Sequence, residues 1–142
     1  MIKFDEDKVL LLHKLIIEST GGKMGVMNYD ALNSSLNNAY QTFGGVELYP
    51  TKQEKAASLG YSLISNHAFF DGNKRIGILV MLSFLDLNGI CLSYSDNDIV
   101  NLGYSVAKGE SKYEDVLNWI KSHEKYERYE EENEEEDSLT KF

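Results

Sequence analysis

The sequence predicts an all-α fold, a bundle of six helices carrying one small β-hairpin flap. Three observations predict it. From Lys74 to Asn88 the chain holds Ile76, Ile78, Leu79, Val80, Met81, Leu82, Phe84, Leu85 and Leu87. Such a segment is apolar nearly all round, the pattern of a helix buried inside a bundle. Five further segments repeat apolar side chains at three- and four-residue intervals, most of them behind a capping residue. Against these stands one short alternating stretch, Val46-Glu47-Leu48-Tyr49-Pro50, too brief for a real sheet but suited to a hairpin with an exposed edge.

The elements follow in order. Asp5 and Asp7 are candidate caps for a first helix in which Val9, Leu12, Leu15 and Ile16 share a face, ended by Gly21-Gly22. Asp30 caps a second helix carrying Leu32, Leu36, Ala39, Tyr40 and Phe43, closed by Gly44-Gly45. Thr51-Lys52-Gln53-Glu54 is a capping box that starts a third helix at Lys52. Its inner face holds Ala56, Ala57, Leu63 and Ile64, with Tyr61 beside them, and it ends near Asn66. After the central helix Gly89 is a stop and Ile90-Cys91-Leu92 an extended piece. Ser95-Asp96 open a fifth helix through Ile99, Leu102, Val106 and Ala107 to Gly109. Ser111-Lys112-Tyr113-Glu114 reads as another capping box before a last helix with Val116, Leu117 and Ile120.

A chain of 142 residues makes one domain, here residues 1–123, followed by an acidic tail over 124–142. The net charge of −9 is uneven: from Glu124 onward nine acids face three bases, a net of −6, which leaves −3 for the rest. The folded part is thus nearly balanced, and no direct nucleic-acid contact is expected. The tail reads as a solubilising segment; a sharper hypothesis has it competing for Lys74 and Arg75. A single cysteine, Cys91, excludes an internal disulfide and points to a reducing, cytoplasmic setting. No secretory leader is visible, and the longest apolar run, Ile76 to Leu85, is far short of the roughly 20 residues a membrane span needs.

The chemistry concentrates in His67-Ala68-Phe69-Phe70-Asp71-Gly72-Asn73-Lys74-Arg75, between the third helix and the central one. A helix start preceded by Gly, with two cations in its first turn, is an anion site most suited to phosphate. His67 can take a proton from a hydroxyl. Asp71 offers the hard oxygen that Mg²⁺ uses when it also holds phosphates. Gly72 admits an anion to the backbone, Asn73 caps or donates, Lys74 and Arg75 neutralise charge, and Phe69 anchors the loop. Taken singly, His67 is a helix-terminal histidine, Asp71-Gly72-Asn73 a turn and Lys74-Arg75 a solvated pair; only the joint spacing favours phosphoryl chemistry. Other motifs fail. Ile78-Leu79 stand where a Walker A loop needs Lys-Ser/Thr, no Gly-x-Gly-x-x-Gly occurs, and one Cys with three scattered His builds no zinc site.

The nonapeptide resembles the signature of the Fic/Doc superfamily, in its Doc ("death on curing") toxin branch. Gly21-Gly22 before Asp30-Ala31-Leu32, Phe43-Gly44-Gly45 through Leu48-Tyr49-Pro50-Thr51, Glu54-Lys55-Ala56-Ala57, and Leu85-Asp86-Leu87-Asn88-Gly89 are similar to that branch as well. The resemblance implies a Fic-type helical bundle. In it His67 is the base, Asp71 binds Mg²⁺, and Gly72, Asn73, Lys74 and Arg75 cradle the phosphates of ATP. The flap residues Val46, Glu47, Leu48 and Tyr49 then align a protein substrate by strand addition. AMP-transferring relatives carry Gly-Asn-Gly-Arg and a second Arg three positions on; Lys74 and Ile78 replace the second Gly and that Arg here. Doc toxins with Asn-Lys-Arg resemble kinases that phosphorylate a threonine of elongation factor Tu and block translation. The resemblance therefore favours a kinase, with nucleotidyl (AMP) transfer and a non-catalytic nucleotide-binding module as rivals. No Ser or Thr is followed four residues later by Glu, so the inhibitory helix of many Fic enzymes is missing. Restraint then falls to a partner, an antitoxin of the Phd type.

Overall fold

In the computed structural model, which describes residues 1–125, the chain opens on α1 (Glu6–Thr20). The Asp5 carboxylate accepts the Lys8 N–H at 2.9 Å, so Asp5 is the cap and Asp7 lies inside the first turn. The buried line of α1 is Val9, His13 and Ile17, spaced by four. Leu12 and Ile16 flank it, whereas Leu15, expected on this face, is exposed. The cap of α2 (Tyr29–Asn38) is Asn28, whose side chain accepts the Ala31 N–H at 3.0 Å; Asp30 sits in the first turn instead.

The second helix does not run on to Phe43. It stops at Asn38, and Thr42–Phe43 forms β1, paired antiparallel with β2 (Val46–Glu47) in the register Thr42↔Glu47 and Phe43↔Val46. Gly44-Gly45, expected as a helix stop, is the hairpin turn. Both glycines have positive φ, 58° and 82°, which a two-residue turn matched to strand twist demands. Phe43 consequently leaves the core and stands 79% exposed.

α3 (Lys52–Ser65) begins with the expected capping box, the Glu54 N–H donating to Thr51 Oγ1 at 3.1 Å and Glu54 Oε1 accepting from Thr51 N–H at 3.4 Å. Ala56, Ala57, Leu63 and Ile64 are buried as predicted, joined by Leu59. It packs most extensively on α4 (Asn73–Leu87), and the two helices touch closely: a Cβ on Gly77 would stand 2.5 Å from Ile64 Cγ1 and 3.0 Å from the Gly60 carbonyl oxygen. Ile76, Val80, Met81, Phe84 and Leu85 fill the centre of the bundle, each buried side chain contributing about 1.5–3 kcal/mol. The far end of α4 reaches the surface at Leu87.

Gly89 ends α4 in the left-handed region, and the Ile90 N–H donates back to the Leu85 carbonyl at 2.8 Å. α5 (Asp96–Ala107) is capped by Ser95, with Asp98 completing a capping box. Its buried residues are Leu102, Gly103 and Val106, while Ala107 faces solvent. α6 (Tyr113–His123) starts one residue later than expected: the Lys112 N–H donates to Asp115 Oδ2 at 2.8 Å, and the Ser111 hydroxyl pairs with Ser105 at 2.5 Å. The extended piece after α4 meets the chain leaving α6, Leu92 bridging Glu124, with Ser93 N–H donating to His123 O and Lys125 N–H to Cys91 O, each at 2.8 Å. Residues 126–142, which hold most of the acidic tail, lie outside the described residues, and with them the proposed competition for Lys74 and Arg75. Among the described residues no helix is long and apolar enough to cross a membrane.

Candidate active site

Between α3 and α4 the chain turns sharply. Asn66 closes α3, and His67 leaves it with φ 47°, a left-handed conformation that costs a non-glycine residue about 1–3 kcal/mol. The turn is held from inside by Asn73, the first residue of α4. Its Oδ1 accepts the Phe69 N–H at 3.1 Å and its Nδ2 donates to the Phe69 carbonyl at 3.0 Å, so one side chain grips Phe69 by both of its backbone polar groups. The remaining Asn73 amide hydrogen faces His67 Nδ1 at 3.5 Å, the outer limit of a hydrogen bond. His67 itself is exposed at the mouth of the turn. For its Nε2 to accept a proton, the ring must carry hydrogen on Nδ1, and this long contact must open.

The segment after α1 forms the outer wall. Met27 and Asn28 N–H groups donate to the Ala68 carbonyl at 2.8 and 3.0 Å, Phe70 N–H donates to Gly25 O at 3.2 Å, and Val26 bridges Phe69. Phe69 is the loop's anchor, 1% exposed and stacked on the His13 ring with centroids 3.8 Å apart and planes 11° apart. His13 Nε2 also donates to the Asp71 carbonyl at 2.7 Å.

The Asp71 carboxylate accepts the Gly72 N–H at 2.8 Å, the Lys23 N–H at 3.2 Å and Arg75 Nη2 at 3.4 Å. Donation from the Lys23 and Gly72 backbones, then the charges of Arg75 and His13, hold its carboxyl below the ordinary range. Gly22 allows this wall to close, because a Cβ there would lie 2.5 Å from Asp71 Oδ2. Gly72 caps α4 with φ 77° and brings no side-chain acceptor, so the first-turn amides of α4 keep the orphan donors of a helix start.

The two cations diverge. Arg75 turns toward α1, its Nη1 donating to Thr20 Oγ1 and, at 2.9 Å, to the Gly21 carbonyl. Lys74 turns toward α5, its Nζ 3.9 Å from the centre of the Tyr104 ring, a cation–π contact. Ile78, one turn on, faces the same helix, where a Cβ on Gly103 would be 3.7 Å from Ile78 Cγ1. The structure thus brings His67, Asp71, Gly72, Asn73, Lys74 and Arg75 to one helix end. The side chain of Asn73 points inward, to the loop backbone.

A model of the family described as Fic/DOC matches residues 3–85, more than half of the 142 residues. The chain belongs to the Fic/DOC family. It is also similar to a curated protein named Toxin Doc, from Mycolicibacterium smegmatis (strain ATCC 700084 / mc(2)155), 39% identical over 79 residues. That match spans 56% of this chain and 60% of the relative, less than two thirds of its length.

As a Fic/DOC chain the molecule has a site built of more than its motif. His13, Thr20, Gly21, Gly22, Lys23 and Tyr104 all touch motif residues, yet in sequence they read as helix interior, helix stop or surface. Gly21-Gly22 stood in the family resemblance, and His13 left a signal of its own, a polar residue midway between Val9 and Ile17 on a four-residue spacing. Among the described residues no group of three or more His, Cys, Asp and Glu side chains could hold a metal alone. Asp71 supplies one ionised carboxylate with lone pairs to spare, which fits a Mg²⁺ that takes its other ligands from phosphates and water. The predicted flap residues lie apart from this centre at their root. Val46, Glu47 and Leu48 are exposed, and Tyr49 packs on Tyr113 with ring centroids 5.1 Å apart. The hairpin leads into the N-terminal end of α3 and the motif follows its C-terminal end, about 21 Å away along 14 residues.

Proposed function

We propose that this protein is a Doc-like toxin that transfers a phosphoryl group from Mg·ATP to a hydroxyl of a protein target, a threonine of elongation factor Tu being the candidate, and so blocks translation. The observation that carries the reading is the turn between α3 and α4, which holds His67 against Asn73 and Asp71 against Gly72, with Lys74 and Ile78 on the side facing α5. A long cation and an apolar side chain there suit a nucleotide presented by its terminal phosphate better than one clamped by a second arginine.

The chain's own groups divide the work. His67 takes the proton of the attacking hydroxyl. The oxygen then bonds to the γ-phosphorus while the bond to the β–γ bridging oxygen breaks, leaving ADP with that electron pair. The first-turn amides of α4 receive phosphate oxygens, Gly72 leaves them room to approach, and Lys74 and Arg75 balance their charge. When bound, Mg²⁺ neutralises phosphate charge beside Asp71. The open edge of β2 pairs with the target segment. A toxin of this kind requires restraint from outside, and an antitoxin of the Phd type fills that role.

The test is incubation of wild-type and His67→Ala protein with γ- and α-labelled ATP and a bacterial lysate. Label from the γ position on a protein, reduced about 10²–10⁴-fold by His67→Ala, is the expected result. Label from the α position instead assigns nucleotidyl transfer. Binding of ATP with no label from either position would leave only the non-catalytic module.

A further inference from the structure

Of the three histidines, His13 is the one most deeply placed. It is 3% exposed in the middle of α1, and a side chain this polar is retained in a core only when its nitrogens are engaged. Its Nε2 is engaged with the motif itself, donating at 2.7 Å to the carbonyl of Asp71. Its ring lies flat on Phe69, the loop's anchor. Its third neighbour is Gly72, where a Cβ would stand 3.5 Å from His13 Nε2.

These contacts fall on the three motif positions that determine where the catalytic groups sit. The peptide joining Asp71 to Gly72 is gripped by its carbonyl. The same residue's carboxylate receives the Lys23 and Gly72 amides, so a tilt of that peptide would swing both the carboxylate and the N-terminal turn of α4. A carbonyl accepts but cannot donate, so the hydrogen bond requires hydrogen on Nε2, a condition met by one neutral tautomer and by the imidazolium alike. The hold therefore does not depend on His13 changing charge. Phenylalanine would keep the stack and lose the donor; glutamine would keep a donor at the same reach and lose the stack.

We infer that His13 is a positioning residue of the site: through the Asp71 carbonyl, α1 sets the pitch of the motif turn and thereby the placement of the Asp71 carboxylate and the Gly72 amide. As an effect on phosphoryl transfer this rests on the function proposed above. As an effect on the turn it does not, and the experiment separates the two.

His13→Phe and His13→Gln are compared with wild type by amide hydrogen exchange at Lys23 and Gly72 and by γ-label transfer. In His13→Phe, exchange at these two amides is expected to rise about tenfold or more, as the turn loses its outside hold. Transfer is expected to fall about a hundredfold, the effect of a misplaced reacting group, with the KM for ATP changed far less than kcat. His13→Gln should recover most of both. Unchanged exchange in a folded His13→Phe, or a His13→Gln no better than His13→Phe on either readout, would overturn the inference. A wild type that transfers no label at all would overturn the proposed function and leave the exchange comparison to decide this one.

Discussion

The motif turn and the flap are built in opposite ways. At the turn, almost every polar group that faces inward has a partner. Asn73 closes the loop on itself, His13 holds it from α1, and the backbone of residues 23–28 is laced to Ala68, Phe70 and Asp71. The flap has two residues per strand and shows Phe43, Val46 and Leu48 to solvent. Its anchorage lies at the base, where the buried Lys55 ammonium pairs with Glu47 Oε1 at 3.1 Å and donates to the Tyr49 carbonyl. On the function proposed above, the difference separates two tasks. Chemistry needs groups placed within a fraction of an ångström and so is carried on a hydrogen-bonded lattice. Recognition by strand addition needs an edge left unpaired, and an unpaired edge cannot also be locked.

The comparison is broken most severely at Gly22. Gly22→Ala puts a methyl group against Asp71 Oδ2 at a φ of 126° that L residues rarely adopt. A loss of about 1–3 kcal/mol in stability is expected from the strained backbone, with transfer activity lost as the carboxylate is displaced. Thermal unfolding and the γ-label assay measure both. Hydrogen exchange at Val46 and Glu47 should stay as in wild type if the two regions are independent; parallel loosening of the hairpin would refute that.

Lys55→Met is the complementary cut. It keeps the buried methylenes but leaves the Tyr49 carbonyl without its donor, at a cost of about 1–3 kcal/mol. Faster exchange at Val46 and Glu47 and a raised KM for the protein target are expected, with the KM for ATP unchanged. A change confined to ATP would show that Lys55 serves the site rather than the flap.

The mildest effect is that of acid on Asp71. Its folded-state pKa is depressed, chiefly by the Lys23 and Gly72 amides, so its contribution is present above the ordinary carboxylate pKa and is lost as pH falls through the lowered value. A ¹³C titration of the Asp71 carboxyl should therefore have its midpoint below the ordinary aspartate value of 3.8, and Lys23→Pro, which removes the first donor, should move it upward. A midpoint unmoved by that change would leave the depression to Gly72 and the charges.

Local patterns were enough to read six helices, the Thr51 and Ser95 caps and the Gly89 stop, and the nonapeptide with its flanks carried the resemblance to the Fic/DOC family. These depend on spacing along the chain, and spacing is what a sequence displays. The errors share one cause. Gly44-Gly45 serves a helix stop or a hairpin turn equally well, and Asn28, Asp30, Ser111 and Lys112 offer competing starts, so tertiary pairing chose among locally equivalent options. Leu15 and Phe43 carried the right period and still went to solvent, since no neighbouring element among the described residues covers them.

The sequence alone determined which helices form, which of them is buried, and that the nonapeptide carrying the Fic/DOC resemblance leads into Asn73–Leu87. Only the tertiary structure decided that Lys74 and Arg75 part company, one to Tyr104 on α5 and the other to the end of α1. It alone placed His13 beneath Asp71, 58 residues away in the chain. The physical reason is range. Helix formation and capping act within about four residues, whereas the partner of a buried donor or a long cation is whatever the packing of the core brings within 3 Å of it.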